Sequence, residues 1–244
     1  MPTAPLLAIE STQRGGSVAL WLSDGAVREE SLRGDRAHDA DLMPAVERLC
    51  LAADVAPRAL RAVAVAVGPG GFTGVRIGVT AARTIAWTLG IGAIAVPAAD
   101  AIALAIPPRA RGWRLSVALA VKGESVWSTT YRSDGEIWRC ESPGALLTSS
   151  AVPLDNETIL AGDEFIPSSL RARAALVVPP LLSAGAVARA AAMSPSVHGA
   201  HADPAGDVPD PLHVLPLYPR IPEAVSLWDV RHGGEPDSAA PLAP

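Results

Sequence analysis

Apolar runs broken by short polar turns open the chain and set its first element order. Residues 6–9 are apolar throughout, and 17–22 ("SVALWL") and 27–32 follow as two further strand-like runs. The polar stretch "ESTQRGG" separates the first two, and Ser23, Asp24 and Gly25 make the next turn. A meander of three strands is therefore expected. From about 39 to 52 the period changes. Leu42, Val46, Leu49 and Cys50 recur at spacings of three and four, which predicts a helix, and Pro44 falls in its first turn, where proline is tolerated. Residues 62–67 ("AVAVAV") are apolar without a break, as a strand covered on both faces requires. A glycine-rich turn leads to a second helix ending near Leu89, with Val75, Val79, Ala82, Ala86 and Leu89 in line. Residues 93–96 form one more short strand.

Strands followed by helix–strand alternation predict an α/β fold with a mixed sheet and helices packed on it. Past residue 107 the pattern thins. Residues 115–120 and 126–131 read as a strand pair around the turn "KGES", 159–161 and 176–178 as short strands, and 183–192 as an alanine-rich helix. Pro107 and Pro108 mark a boundary, which divides the chain into lobes at 1–106 and 107–224; the proline- and glycine-rich 225–244 reads as a tail. No internal repeat is visible in the residues.

Composition narrows the function classes. Apolar residues make up 49% of 244, enough for a proper core. The formal net charge is −5 and Lys122 is the only lysine, so a basic face able to grip nucleic acid alone is not expected. Cys50 and Cys140 are far apart and not in a CxxC pair, which fits a reducing cytoplasm. Without a signal-peptide pattern or a long uninterrupted apolar segment, a cytoplasmic protein with no membrane span is expected.

The most informative stretch is 68–78, "GPGGFTGVRIG". It lacks the lysine of a phosphate-binding P-loop, and Thr73 stands where a dinucleotide fingerprint needs glycine. Two readings remain open: the glycines permit a sharp turn and close helix approach, or the N–H groups at the helix start cradle an anion. Glu10, Ser11 and Thr12, just after the first strand, are the candidate cofactor-binding residues. A carboxylate there can hold Mg²⁺ through water, or it can cap the turn. Arg76 either pairs with a carboxylate or phosphate through its planar fork or lies solvated on the surface. The five histidines include no pair one helical turn apart, and His198 and His201 lie in a loop-like segment, so no metal site is expected. No Gly-x-Ser-x-Gly elbow and no Cys–His motif occur, so no catalytic residue is assigned.

The stretch 68–78 also resembles GPGSFTGxRIG, the signature of the TsaB (YeaZ) family, and departs from it only at Gly71. "LAIESTQRGGSVALW" resembles the family's opening, "AHDADLMPAVERL" its first helix through His38, Leu42 and Pro44, and "LPLYPR" its Pro-x-Tyr-x-Arg segment through Pro216, Tyr218 and Arg220. The resemblance implies a member of the actin, sugar-kinase and Hsp70-like superfamily, with two ribonuclease-H-like lobes. It implies a non-catalytic subunit, with no cofactor of its own, that supports threonylcarbamoyladenosine formation in tRNA. The ATP and metal would reside on a TsaD-like catalytic partner, a TsaE-like ATPase would join, and tRNA would be met indirectly. Peptidase labels attached to relatives would describe descent and not activity.

The partner contact implied is a pair of helices exposing an apolar stripe, with His38, Leu42, Val46, Gly70, Phe72, Thr73, Gly74, Val75, Arg76, Gly78, Val79 and Ala82 at the interface. The same face would also allow a homodimer. In the second lobe, Ala120, Lys122 and Ser125 replace the family's usual polar residues. Two rival functions are an ATP-binding small-molecule kinase-like enzyme and a scaffold unrelated to tRNA.

Overall fold

The computed structural model describes residues 4–33, 40–193, 210–220 and 231. Two five-stranded sheets carry the chain. The first has the order β3-β2-β1-β4-β5 and is built from β1 (Leu6–Glu10), β2 (Ser17–Trp21), β3 (Val27–Ser31), β4 (Ala62–Gly68) and β5 (Gly92–Pro97). β1, β2 and β3 form the expected antiparallel meander, and β4 and β5 join in parallel. Helices α1 (Leu42–Ala52) and α2 (Phe72–Leu89) lie between β3 and β4 and between β4 and β5 in the chain. Residue 39, where the first helix was expected to begin, and His38 before it fall outside the described residues.

β4 shows why this layer forms. Val63, Val65 and Val67 point to one face, where they pack with Leu42, Val46, Leu49, Val75, Val79 and Ala82 of α1 and α2. Ala62, Ala64 and Ala66 point to the other, where they meet Ala101 and the alanine-rich helix α5 (Ala184–Met193). A strand alternates faces residue by residue, so one Ala-Val repeat serves a bulky face and a close-packed face at once.

The second sheet runs β10-β9-β6-β7-β8, with β6 (Arg114–Lys122), β7 (Ser125–Ser133), β8 (Trp138–Thr148), β9 (Thr158–Gly162) and β10 (Leu176–Val178). Reversed, that order is β8-β7-β6-β9-β10: again a three-strand meander with two parallel strands added beside its first strand. The topology repeats although the residues do not. These are the two mixed-sheet, ribonuclease-H-like lobes of the expected fold class.

Three elements depart from the expectation. Helix α3 (Ala98–Ala105) was not predicted, because "AADAIALA" is apolar nearly all round and has no stripe to detect. It is buried on both sides, with Ala101 against the first sheet and Ala98, Ala99 and Ile102 against Leu115, Val117 and Tyr131 of the second. β8 was hidden by Pro143 and Gly144, which are tolerated because it is an edge strand with shifted register. The short helix α4 (Ser168–Arg173) was also missed. The lobe boundary moves as well. α5 packs on β1, β2 and β4, and the segment 210–220 returns to the first lobe, with Val214 buried in the α1–α2 core. The expected unit 107–224 is therefore not one continuous lobe.

The alanine face of β4 makes a direct prediction. Ala64→Leu, at a fully buried position, should lower stability by roughly 1–3 kcal/mol through overpacking against α3 and α5. Urea unfolding would read this as a lower midpoint at unchanged slope; an unchanged midpoint would contradict the packing described.

Candidate functional site

The chain leaves β1 at Glu10 and turns at once beneath the start of α2. The Ser11 hydroxyl donates to the Gly74 carbonyl at 2.8 Å, and the Thr12 carbonyl accepts the Gly71 N–H at 2.8 Å. Ser11 and Thr12 are both buried. The glycines of the signature are the counterpart of this turn. A Cβ on Gly70 would stand 2.5 Å from the Thr12 Cβ and 2.7 Å from its carbonyl oxygen, and one on Gly78 would overlap the Ser11 hydroxyl. Gly70 and Gly78 thus leave notches that the Ser11–Thr12 turn fills. At β4's end, Gly68 has φ +102, and a Cβ there would lie 3.1 Å from the Leu217 carbonyl of the returning segment. Of the two readings of the glycine turn, this geometry supports close backbone approach.

Glu10 holds the turn from inside. One carboxylate oxygen, Oε1, accepts from the Thr12 N–H (2.6 Å), the Thr12 hydroxyl (2.7 Å) and the Gln13 N–H (3.2 Å). Burial pushes its pKa from the ordinary 4.5 up to about 7, with Glu29 adding to the rise and the Thr12 and Gln13 hydrogen bonds opposing it. Glu29 sits across β2 and is itself engaged, accepting from Ser17 at 2.7 Å and Ser183 at 3.1 Å. The three candidate cofactor residues are thus brought together, and the bonds they make are those of a capped turn. Among the described residues, no group of three or more His, Cys, Asp and Glu side chains could hold a metal ion; His198, His201 and His232 fall outside those residues.

The expected interface needs correction. Val75, Val79 and Ala82 of α2 are at most 2% exposed, and Leu42 and Val46 of α1 are also buried. Gly74 and Gly78 are buried as well. Their own sheet has taken this stripe, so it cannot be the surface offered to another protein. The face of α2 that remains open carries Phe72 (55% exposed), Thr73, Arg76, Thr80, Thr84 and Trp87 (68% exposed), with Ile77, Ala81 and Ile85 half-buried at its edge. Met43 and Leu51 are exposed on α1. The signal that locates this face is the complement of the valine stripe, at positions 73, 77, 80 and 84. Phe72 also meets the returning segment: its ring centroid is 5.3 Å from that of Tyr218, and the Arg76 guanidinium lies 5.1 Å above it. Burial raises the Tyr218 pKa and the Arg76 charge opposes the rise.

In the second lobe, Ala120, Lys122 and Ser125 lie where β6 turns into β7. The neighbouring Glu124 accepts from Ser149 and Ser169 of its own lobe.

Residues 32–136 match the family model described as TsaD, tRNA N6-adenosine threonylcarbamoyltransferase. The tRNA threonylcarbamoyladenosine biosynthesis protein TsaB of Bacillus subtilis is 40% identical over 98 residues, covering 40% of this chain and 43% of that one. Its Escherichia coli namesake is 30% identical over 148 residues, covering 60% and 64%. A Pseudomonas aeruginosa structure described as an uncharacterized protein with similarity to peptidase YEAZ superposes with a TM-score of 0.71 at 27% identity, over 89% of this chain and all of that one. The chain is similar to TsaB (YeaZ) proteins, in sequence over 60% of its length and in fold over 89% of it. The matched region spans less than two thirds of the length of the two curated TsaB proteins. The TsaB signature glycines are accounted for here by the Ser11–Thr12 turn.

Two predictions come from the turn. Gly78→Ala should cost roughly 1–3 kcal/mol, because the added methyl displaces the Ser11 hydroxyl from Gly74; thermal unfolding at constant pH checks this, and an unchanged Tm would contradict it. For Glu10 the native pKa lies above the unfolded one, so the folded state keeps a proton that the unfolded state releases. Stability should therefore fall as pH rises from about 5 to about 7 and level off above, by on the order of 3 kcal/mol. Glu10→Gln should flatten that fall; identical pH profiles for the two proteins would refute the assignment.

Proposed function

We propose that this chain is an accessory subunit in the formation of threonylcarbamoyladenosine in tRNA, at the adenosine next to the anticodon. It pairs with a TsaD-like catalytic partner through the outer faces of α1 and α2. The observation that carries this reading is the glycine turn. The Ser11–Thr12 turn is seated against Gly70, Gly74 and Gly78. The adjoining helix leaves a continuous outer face of threonines, small residues and exposed aromatics.

Ile77, Thr80, Ala81 and Thr84 suit close helix approach, and Trp87 and Phe72 supply area of the kind that anchors interfaces. Burying such a face gives a gross gain of about 25 cal/mol per Å², from which the cost of association is subtracted. ATP, metal and the transfer reaction belong to the partner in this reading, and the pair is joined by a TsaE-like ATPase in the cytoplasm. The chain acts by stabilising the partner's active arrangement, a shift of population and not a chemical step. Without the partner the same face supports a homodimer. No helix among the described residues is long and apolar enough to cross a membrane.

The test uses residues that the fold does not need. Thr80→Glu and Thr84→Glu introduce charge on the exposed outer face of α2 and should weaken assembly with the TsaD-like partner at least tenfold, about 1.4 kcal/mol, while leaving Tm within a few degrees. Size-exclusion chromatography and titration calorimetry read the assembly. Full-strength assembly by both variants would refute the proposed face.

A further inference from the structure

The seam between the two lobes holds a cleft that the outer faces of α1 and α2 do not share. β5 is an edge strand of the first sheet, and it turns Ile94 and Val96 to the side packed by α5, away from α1 and α2. Leu104 of α3 and Met193 of α5 stand beside them, and Tyr131 of β7 and Trp138 of β8 close the far wall from the second lobe. Ala103, Ala190 and Ala191 line the same space, and their short side chains leave room that larger ones would fill. The result is a cavity of about 90 Å³, open to solvent on one side, several times the ~10–15 Å³ that one water needs. The polar groups in its wall converge. The buried Tyr131 hydroxyl donates to Asp100 Oδ1. Burial raises the pKa of Tyr131, and the negative charge of Asp100 adds to the rise. Burial likewise pushes Cys140, opposite Tyr131 on β8, up to about 11, with the same carboxylate contributing. The Trp138 ring is fixed by its indole N–H, which donates to the Ile106 carbonyl at 2.8 Å.

We propose that this cavity binds a small primary amine whose apolar body is one ring or a short branched chain, with its ammonium group on the Asp100 carboxylate. Apolar walls with a few convergent polar groups, placed where two lobes meet, are the usual setting of a small-molecule site. The charge decides which molecule. A carboxylate in an apolar wall favours a cation beside it. It accepts about four hydrogen bonds, so an ammonium donor adds to the Tyr131 bond instead of replacing it. No lysine, arginine or histidine is among the described residues that line the cavity, so the acid group of an amino acid would meet no cation there. An amine without an acid group fits. Seated there, it touches both lobes at once. Its site lies across the first sheet from the helices assigned to the protein partner, so it goes beyond the accessory role and does not depend on it.

Ligand-observed NMR titrations of the full chain with benzylamine, benzyl alcohol and phenylglycine test this. The three share a ring and differ in carrying an ammonium, a neutral hydroxyl, or an ammonium with a carboxylate. Benzylamine should bind with a Kd of about 1 mM or below, and the alcohol and the amino acid at least roughly tenfold more weakly. Asp100→Asn keeps an acceptor for the Tyr131 hydroxyl and should raise the benzylamine Kd at least roughly tenfold, with the benzyl alcohol Kd changed less than about twofold. Met193→Trp enlarges an exposed side chain at the mouth of the cavity and should weaken benzylamine roughly fivefold or more. The Tm of each variant is recorded alongside. Equal affinity for benzylamine and benzyl alcohol, or no benzylamine binding up to about 10 mM, overturns the assignment on the unaltered chain, whatever the stability of the variants. Full benzylamine affinity in a folded Asp100→Asn or Met193→Trp protein overturns it equally.

Discussion

The structure around the signature depends on one close approach: the Ser11–Thr12 turn pressed into the glycine notches at the start of α2. Glu10 holds the turn from the sheet side, through three donors on one carboxylate oxygen. Gly70 and Gly78 hold it from the helix side by lacking a side chain. The consequence is positional. With its inner face taken by the turn and by the valines of β4, α2 is fixed in orientation, and its threonine-bearing face must point outward. A rigid helix with a predetermined outer face needs little reordering on association, which lowers the cost of binding.

The same interaction accounts for glycines at the entry to α2 by close backbone approach. In a strand–turn–helix unit the first turn of the helix presents free N–H groups. Here the Gly71 N–H, at the entry to α2, is satisfied by Thr12. The carboxylate at the end of β1 is turned to local capping, and burial leaves it titrating near neutral pH.

Much of the first lobe was legible in the residues, because its signals are local. The Ala-Val repeat of β4 announced a strand buried on both faces, and the spacing of Val75, Val79, Ala82 and Ala86 announced α2. The second lobe was less legible for physical reasons: β8 carries a proline and a glycine that only an edge strand tolerates, and α3, Asp100 apart, is apolar all round because two sheets enclose it. The topological repeat was invisible because hydrogen-bond order, not residue identity, is what the lobes share. The site was legible as a location and misread as a surface. A stripe at spacings of three and four marks which face of a helix is buried, but not what buries it, and here the helix's own sheet claimed Val75 and Val79 before any partner could. Tyr218 was recognisable only as part of a segment, since 146 residues of chain separate it from Phe72 and nothing local predicts their contact.

The central claim is that this polypeptide contributes a binding surface and its partner contributes the chemistry. The most direct test is tRNA threonylcarbamoylation measured in a reconstituted system of TsaD-like partner, TsaE-like ATPase and activated substrate, with this chain present, omitted, or supplied alone. The account predicts modified tRNA only when chain and partner are both present, and none from the chain by itself. Modification by the chain alone, or an undiminished rate when it is left out, would contradict it.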